Sequence, residues 1–124
     1  MRYYSPDSIK EILDQHNLWL KNRRLGRRAD FSDCDLTGAN FEGANLYAAD
    51  FTRAILGLVN FSKANLTCAN LIRADLEAAN LSKSNLSKAN FSRANLTWAN
   101  MTGANISGII VVGANLTGVI GYEP

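Results

Sequence analysis

One histidine and two cysteines in 124 residues leave very little of the chemistry that catalysis or metal binding needs. A metal site requires several ligands of suitable type converging on one point, and His16 with Cys34 and Cys68 does not supply such a set. Nucleophilic catalysis would need a cysteine and a histidine meeting in an electropositive opening. No catalytic, metal or cofactor-binding residue is therefore assigned, and the chain is read as a non-enzyme. Long apolar runs are also absent. None approaches the roughly 18 residues of a membrane span, and the start MRYYSPDSIKEIL has no apolar signal-peptide stretch. The expected location is cytoplasmic, with no membrane partner. Net charge is only +2 but unevenly spread. Residues 1–28 hold Arg2, Lys10, Lys21, Arg23, Arg24, Arg27 and Arg28 against Asp7, Glu11 and Asp14, while the remainder is slightly acidic.

What the chain has in abundance is a period of five. From Ala29 to about Ile120 the pattern is Ala-(Asn/Asp)-(Leu/Phe)-(Ser/Thr)-X, with Phe31, Leu36, Phe41, Leu46 and their successors to Leu116 each five residues after the last. On an α-helix a step of five turns the direction by about 140° beyond a full turn, so these residues define no buried stripe. On a straight strand five is odd, and successive leucines point to opposite sides. Both difficulties vanish if the chain turns a corner once per repeat and aims each Ala and each Leu or Phe at a common axis. That object is a β-solenoid. Residues one coil apart stack and should share chemistry. Phe31, Phe41, Phe51, Phe61 and Phe91 fall on alternate repeats, and Arg53, Arg73 and Arg93, like Lys63 and Lys83, are spaced by twenty. Four repeats per coil satisfies both patterns.

The pattern resembles the pentapeptide-repeat family, whose consensus is A(D/N)LXX. The resemblance implies an all-β solenoid, a right-handed quadrilateral β-helix with four five-residue repeats per coil. It maps the family's central inward residue onto the Leu/Phe series and its second inward residue onto the Ala series. At strand spacing of about 4.8 Å the repeats would build four to five coils, roughly 20 to 25 Å tall. Each buried Leu or Phe contributes on the order of 1.5 to 3 kcal/mol, opposed by backbone ordering, so stability must come from stacking. Cys34 falls at an inward small-residue position and Cys68 at an outward corner, too far apart for a disulfide.

Solenoid ends need covering. Ser5-Pro6-Asp7 reads as an N-cap, a proline at the first helical position and an acid in the first turn. Ile9, Ile12, Leu13, His16 and Leu20 follow at helical spacing, predicting a helix from about Pro6 to Lys21 lying over the first coil, with His16 packed on its inner flank. The expected divisions are 1–28 for this helix and a basic connector, 29–120 for the repeats, and 121–124 for a tail. Toward the C-terminus the consensus degrades, and Ile110, Val112, Val119, Ile120 and Tyr122 form either a self-cap or a dimer surface. By resemblance to the family, a homodimer through the C-terminal coil is the expected form.

Three function classes remain. The leading one is a non-enzymatic scaffold or protein-interaction module with an unknown protein partner, for which Ile55, Leu58 and Trp98 mark the candidate face. Its source by resemblance is bacterial, in particular cyanobacterial. The second is anion or nucleic-acid binding through Arg23, Arg24, Arg27 and Arg28 together with the column Arg53, Arg73 and Arg93. Nucleic acid is disfavoured because aromatic residues do not interleave the connector. The third is the DNA mimicry by which family members bind type II topoisomerases, disfavoured because the outward corners here are basic. The Asn columns, such as Asn40, Asn60, Asn80 and Asn100, are expected to stack as amide ladders of structural role.

Overall fold

The architecture, taken from a computed structural model that describes residues 2–124, starts with helix α1, Pro6–Lys21. Its first turn follows from the local sequence. Ser5 is extended, its Oγ accepts the Ser8 N–H at 3.2 Å, Pro6 enters with its fixed φ, and Asp7 faces the helix dipole. At the other end the Asn22 N–H donates to the Leu18 carbonyl at 3.1 Å. Ile9, Ile12 and Leu13 lie against the first coil, and His16 is the buried residue of the helix.

From residue 29 onward, partners twenty apart pair in parallel, from Asp30 with Asp50 to Asn100 with Ile120. Four five-residue repeats therefore close one coil. Each side has the same wiring. The Asn60 N–H donates back to the Ala39 carbonyl at 2.9 Å, and the Phe41 N–H donates forward to the Asn60 carbonyl at 2.8 Å. The corner follows at once: the Phe41 carbonyl accepts the Ala44 N–H at 3.0 Å, closing a four-residue turn. Its third residue is left-handed, the geometry of a type II turn. The fifth repeat position is left-handed throughout, with φ of 67° to 74° at Gly38, Gly43, Gly103, Gly108, Gly113 and Gly118, and 56° to 62° at residues such as Asp33, Arg53, Leu58 and Trp98.

This geometry revises the expectation of short extended segments. The turn takes four of every five residues, so each side keeps a single ladder residue at the Asn/Asp position. The amide ladders are revised as well. Asn and Asp Oδ1 atoms mostly turn inward on their own corner, as where Asn80 Oδ1 accepts the Ser82 N–H at 3.0 Å and the Ser82 hydroxyl at 2.6 Å. Contacts between stacked side chains occur at Asn65 Nδ2 to Asn45 Oδ1, 3.3 Å, and Asn95 Nδ2 to Asp75 Oδ1, 3.1 Å. An Asx turn gives the carbonyl oxygen two short local donors, which outcompete a neighbour one coil away.

The core is the Leu/Phe column and the Ala column, buried side by side. In its lower half four phenyl rings cluster. Phe31 stacks on Phe51 at 5.1 Å and Phe41 on Phe61 at 5.3 Å, with edge contacts of 5.3 to 5.8 Å across the axis. A strand that sequence reasoning missed joins this end. Strand β1, Arg2–Tyr3, pairs in parallel with β2, Cys34–Asp35, in the register Arg2 to Cys34. Two residues are too few to carry a period, so only the exposed ladder of the first coil selects them. At the opposite end Ile106, Val111 and Leu116 are half-buried, because no further coil lies over them.

Candidate functional site

Each side of the solenoid presents a column of fifth-position residues, and the left-handed corner aims their side chains outward. The first column runs Asp33, Arg53, Arg73, Arg93, Gly113. Arg53 Nε and Nη2 hold Asp33 Oδ1 and Oδ2 at 2.8 and 3.0 Å, and the guanidinium keeps that carboxyl below its ordinary range. Both partners are exposed, so the pair adds little stability. The expected three-arginine column is thus shortened to Arg73 and Arg93, which form no ion pair among the described residues.

The connector arginines are dispersed too. Arg23 Nη1 donates to the Trp19 and Leu20 carbonyls at 2.9 and 3.2 Å, and its guanidinium lies 3.9 Å over the Trp19 ring. It serves the helix C-terminus. The Arg24 N–H donates to Asn22 Oδ1 at 2.9 Å, a turn contact. Arg27 and Arg28 line a cleft of about 520 Å³ under α1 with Arg2, but Glu11 and Asp30 share it and offset much of the charge. Burial is the first cause that lowers the His16 pKa, with Arg23 and Arg28 adding to it, while the nearby Tyr47 carbonyl opposes it. His16 Nδ1 accepts the Ala29 N–H at 2.9 Å, and Nε2 has no hydrogen-bond partner of good geometry. Neutral His16 is therefore a structural clasp between helix and first coil. Cys34 is buried, which pushes its thiol pKa up, and Cys68 is exposed and separate from it.

The second column runs Gly38, Leu58, Ala78, Trp98, Gly118. Leu58 and Trp98 remain 68% and 63% exposed, and Ala78 lies between them. Thr37, Gly57, Asp75 and Glu77 complete a notch of about 350 Å³ around Leu58 and Ala78. Ile55 is half-buried and pairs with Asp35 below and Asp75 above. The Trp98 indole rests on the next coil. A Cβ at Gly118 would come within 2.3 Å of Cε3 and 2.6 Å of Cζ3, so glycine there seats the ring. Sequence reasoning found Leu58 and Trp98 but missed their acidic neighbours Asp75 and Glu77. The twenty-residue spacing could have found them.

At the C-terminal coil, Ile110, Val112 and Ile120 are 40%, 75% and 60% exposed, whereas Val119 and Tyr122 pack partly against the core. Among the described residues no helix is long and apolar enough to cross a membrane.

A coil of four five-residue repeats with inward Ala and Leu/Phe is distinctive, and the profile of pentapeptide repeats matches residues 27–62, 44–82, 69–108 and 79–118. This chain is a pentapeptide-repeat protein. Among solved structures it is similar to HetL, a pentapeptide-repeat protein involved in heterocyst differentiation regulation from the cyanobacterium Nostoc sp. strain PCC 7120. Identity is 34% and the TM-score 0.74, over 78% of this chain and 48% of HetL. It is likewise similar to Rfr23, a pentapeptide-repeat protein of the cyanobacterium Cyanothece 51142, at 34% identity and TM-score 0.71, over 73% of this chain and 63% of that one. This pentapeptide-repeat protein thus spans about half the length of HetL and less than two thirds of Rfr23. No curated relative matches it.

Proposed function

We propose that this pentapeptide-repeat protein is a non-enzymatic scaffold that binds a protein partner through the side carrying Ile55, Leu58 and Trp98. The observation that carries this reading is the placement of two large, exposed apolar side chains in one corner column. Elsewhere the left-handed fifth position carries charged residues, glycine, alanine or cysteine. HetL's involvement in heterocyst differentiation regulation accords with a regulatory binding role. On this reading residues 1–28 form a lid and connector, 29–120 four to five coils, and 121–124 a tail. The apolar surface at Ile110, Val112 and Ile120, flanked by Val119 and Tyr122, supports a homodimer through the last coil.

A photo-crosslinking amino acid at Leu58 and, separately, at Lys88 on the opposite side tests the assignment in cells of the source organism. Crosslinks to a partner from position 58 and none from position 88 are expected. Crosslinking from 88 alone overturns it. A second reading, anion binding by Arg27, Arg28, Arg73 and Arg93, is supported by their freedom from ion pairs among the described residues. It requires affinity for nucleic acid that falls steeply with salt.

A further inference from the structure

Resting on that reading, we infer that the Leu58 and Trp98 face takes the lysine or arginine side chains of an extended basic segment of a partner protein. The first ground is charge. Residues 34–38, 54–58, 74–78, 94–98 and 114–118 stack on one side and contain Asp35, Asp75 and Glu77 with no cation. The six cations of the repeat body lie on the other three sides: Arg53, Arg73 and Arg93; Lys63 and Lys83; and Lys88. Asp35, Asp75 and Glu77 form no ion pair among the described residues. Asp35 shares a cleft with Lys10, but Asp75 and Glu77 line their notch with no cation, which draws a cationic segment and repels an acidic one or a nucleic acid.

The second ground is shape. Leu58 and Trp98 stand two coils apart, about 10 Å at strand spacing. The small Ala78 leaves a notch beside Leu58, with Glu77 next to it and Gly57 one coil below. The notch beside Leu58 and Ala78 accepts one side chain, and the Trp98 indole lies above it on the next coil. A lysine or arginine suits it because its aliphatic stem can lie along Leu58 and Ala78 while its charged head reaches Glu77 and Asp75. Asp75 is already oriented, since its Oδ1 accepts the Glu77 N–H at 3.2 Å and Asn95 Nδ2 at 3.1 Å. Trp98 is oriented as well: its ring lies against Gly118 yet stays mostly exposed, the arrangement in which an aromatic face receives a cation.

The probe is an acetylated and amidated Ala-Arg-Ala-Arg-Ala peptide, with Glu and Gln versions as controls. It is titrated into the full chain carrying Trp19→Phe, which leaves Trp98 as the sole indole. Saturable change of Trp98 emission by the Arg peptide is expected, at least tenfold tighter than by either control. Glu77→Gln should weaken it three- to tenfold. Ala78→Leu, which fills the notch with the residue that Leu58 already places at the same corner one coil below, should abolish the response. Unchanged thermal melting confirms that both variants fold. Equal binding of the Gln peptide overturns the basic-segment inference while leaving the interaction face standing. Unaltered affinity in Ala78→Leu overturns the notch. If the wild type dimerises in light scattering and Ala78→Leu or Arg73→Glu makes it monomeric, the occupant is a second copy and the inference fails. Loss of the crosslink from position 58 would instead remove the reading on which it rests.

Discussion

Replacing Leu76 by alanine tests the core assignment most directly. Leu76 is fully buried at mid-column, with Leu56 below and Leu96 above. Removing its three terminal carbons forfeits about 2.4 kcal/mol of transfer free energy at about 0.8 kcal/mol per methylene. A cavity term of about 24 cal/mol per Å³ adds to this unless the site collapses. Collapse is opposed by the ladder, because the Leu56 N–H to Asp75 carbonyl bond at 2.6 Å and the Leu76 N–H to Asn95 carbonyl bond at 2.7 Å hold the coil spacing from both sides. The expected total is about 3 to 4 kcal/mol, read from urea unfolding followed by far-ultraviolet circular dichroism. Leu116→Ala, half-buried on the last coil, should cost about 1 kcal/mol, and Ser82→Ala, at the solvent side of a corner, about 0.5 to 1 kcal/mol. Because coupling passes only between neighbouring coils, the mid-column cavity should also lower the cooperativity of the transition. A Leu76→Ala cost below about 1.5 kcal/mol, or equal to that of Leu116→Ala, would refute the layered core.

Gly26 has φ of +63°, and a Cβ there would sit 2.2 Å from the Gln15 carbonyl oxygen and 2.7 Å from Leu18 Cβ. Gly26→Ala should therefore detach the connector from α1 at a cost of about 3 kcal/mol, with Trp19 emission shifting to the red; an unshifted, equally stable variant contradicts this contact. His16 has a folded pKa below its ordinary 6.5. The stability from keeping it neutral is complete above about pH 6.5 and is lost as pH falls from there toward the folded value. His16→Gln should flatten that part of the stability profile, and an unchanged profile would assign the dependence to other groups. Asn80→Asp keeps the acceptor for the Ser82 N–H and hydroxyl and should cost under about 0.5 kcal/mol, whereas Asn80→Ala should cost about 1 to 2 kcal/mol. Equal losses in thermal melts would restore the stacked-amide ladder as the working contact.

The five-residue period determined the solenoid and the inward Ala and Leu/Phe series, because a step of five is incompatible with a helix stripe and with a flat strand, and the alternating phenylalanines with the twenty-residue spacing of Arg and Lys determined the four repeats per coil. The helix from Pro6 to Lys21 was equally legible, since Ser5, Pro6 and Asp7 act on their immediate neighbours and the apolar stripe follows at helical spacing. The left-handed corner could have been read from Gly38, Gly43 and the glycines from 103 to 118, yet arginine, leucine and tryptophan occupy the same repeat position. Only the closed turn forces them into that conformation. Tertiary structure alone decided that Asp33 takes Arg53 and that β1 seats on β2, because each contact joins residues whose partner is chosen by proximity across coils or elements. It alone decided that Trp98 lies on Gly118 and that Leu58, Ala78 and Glu77 share one notch. The repeat sets which residues point outward; the stacking height and the turn angle set which of those meet.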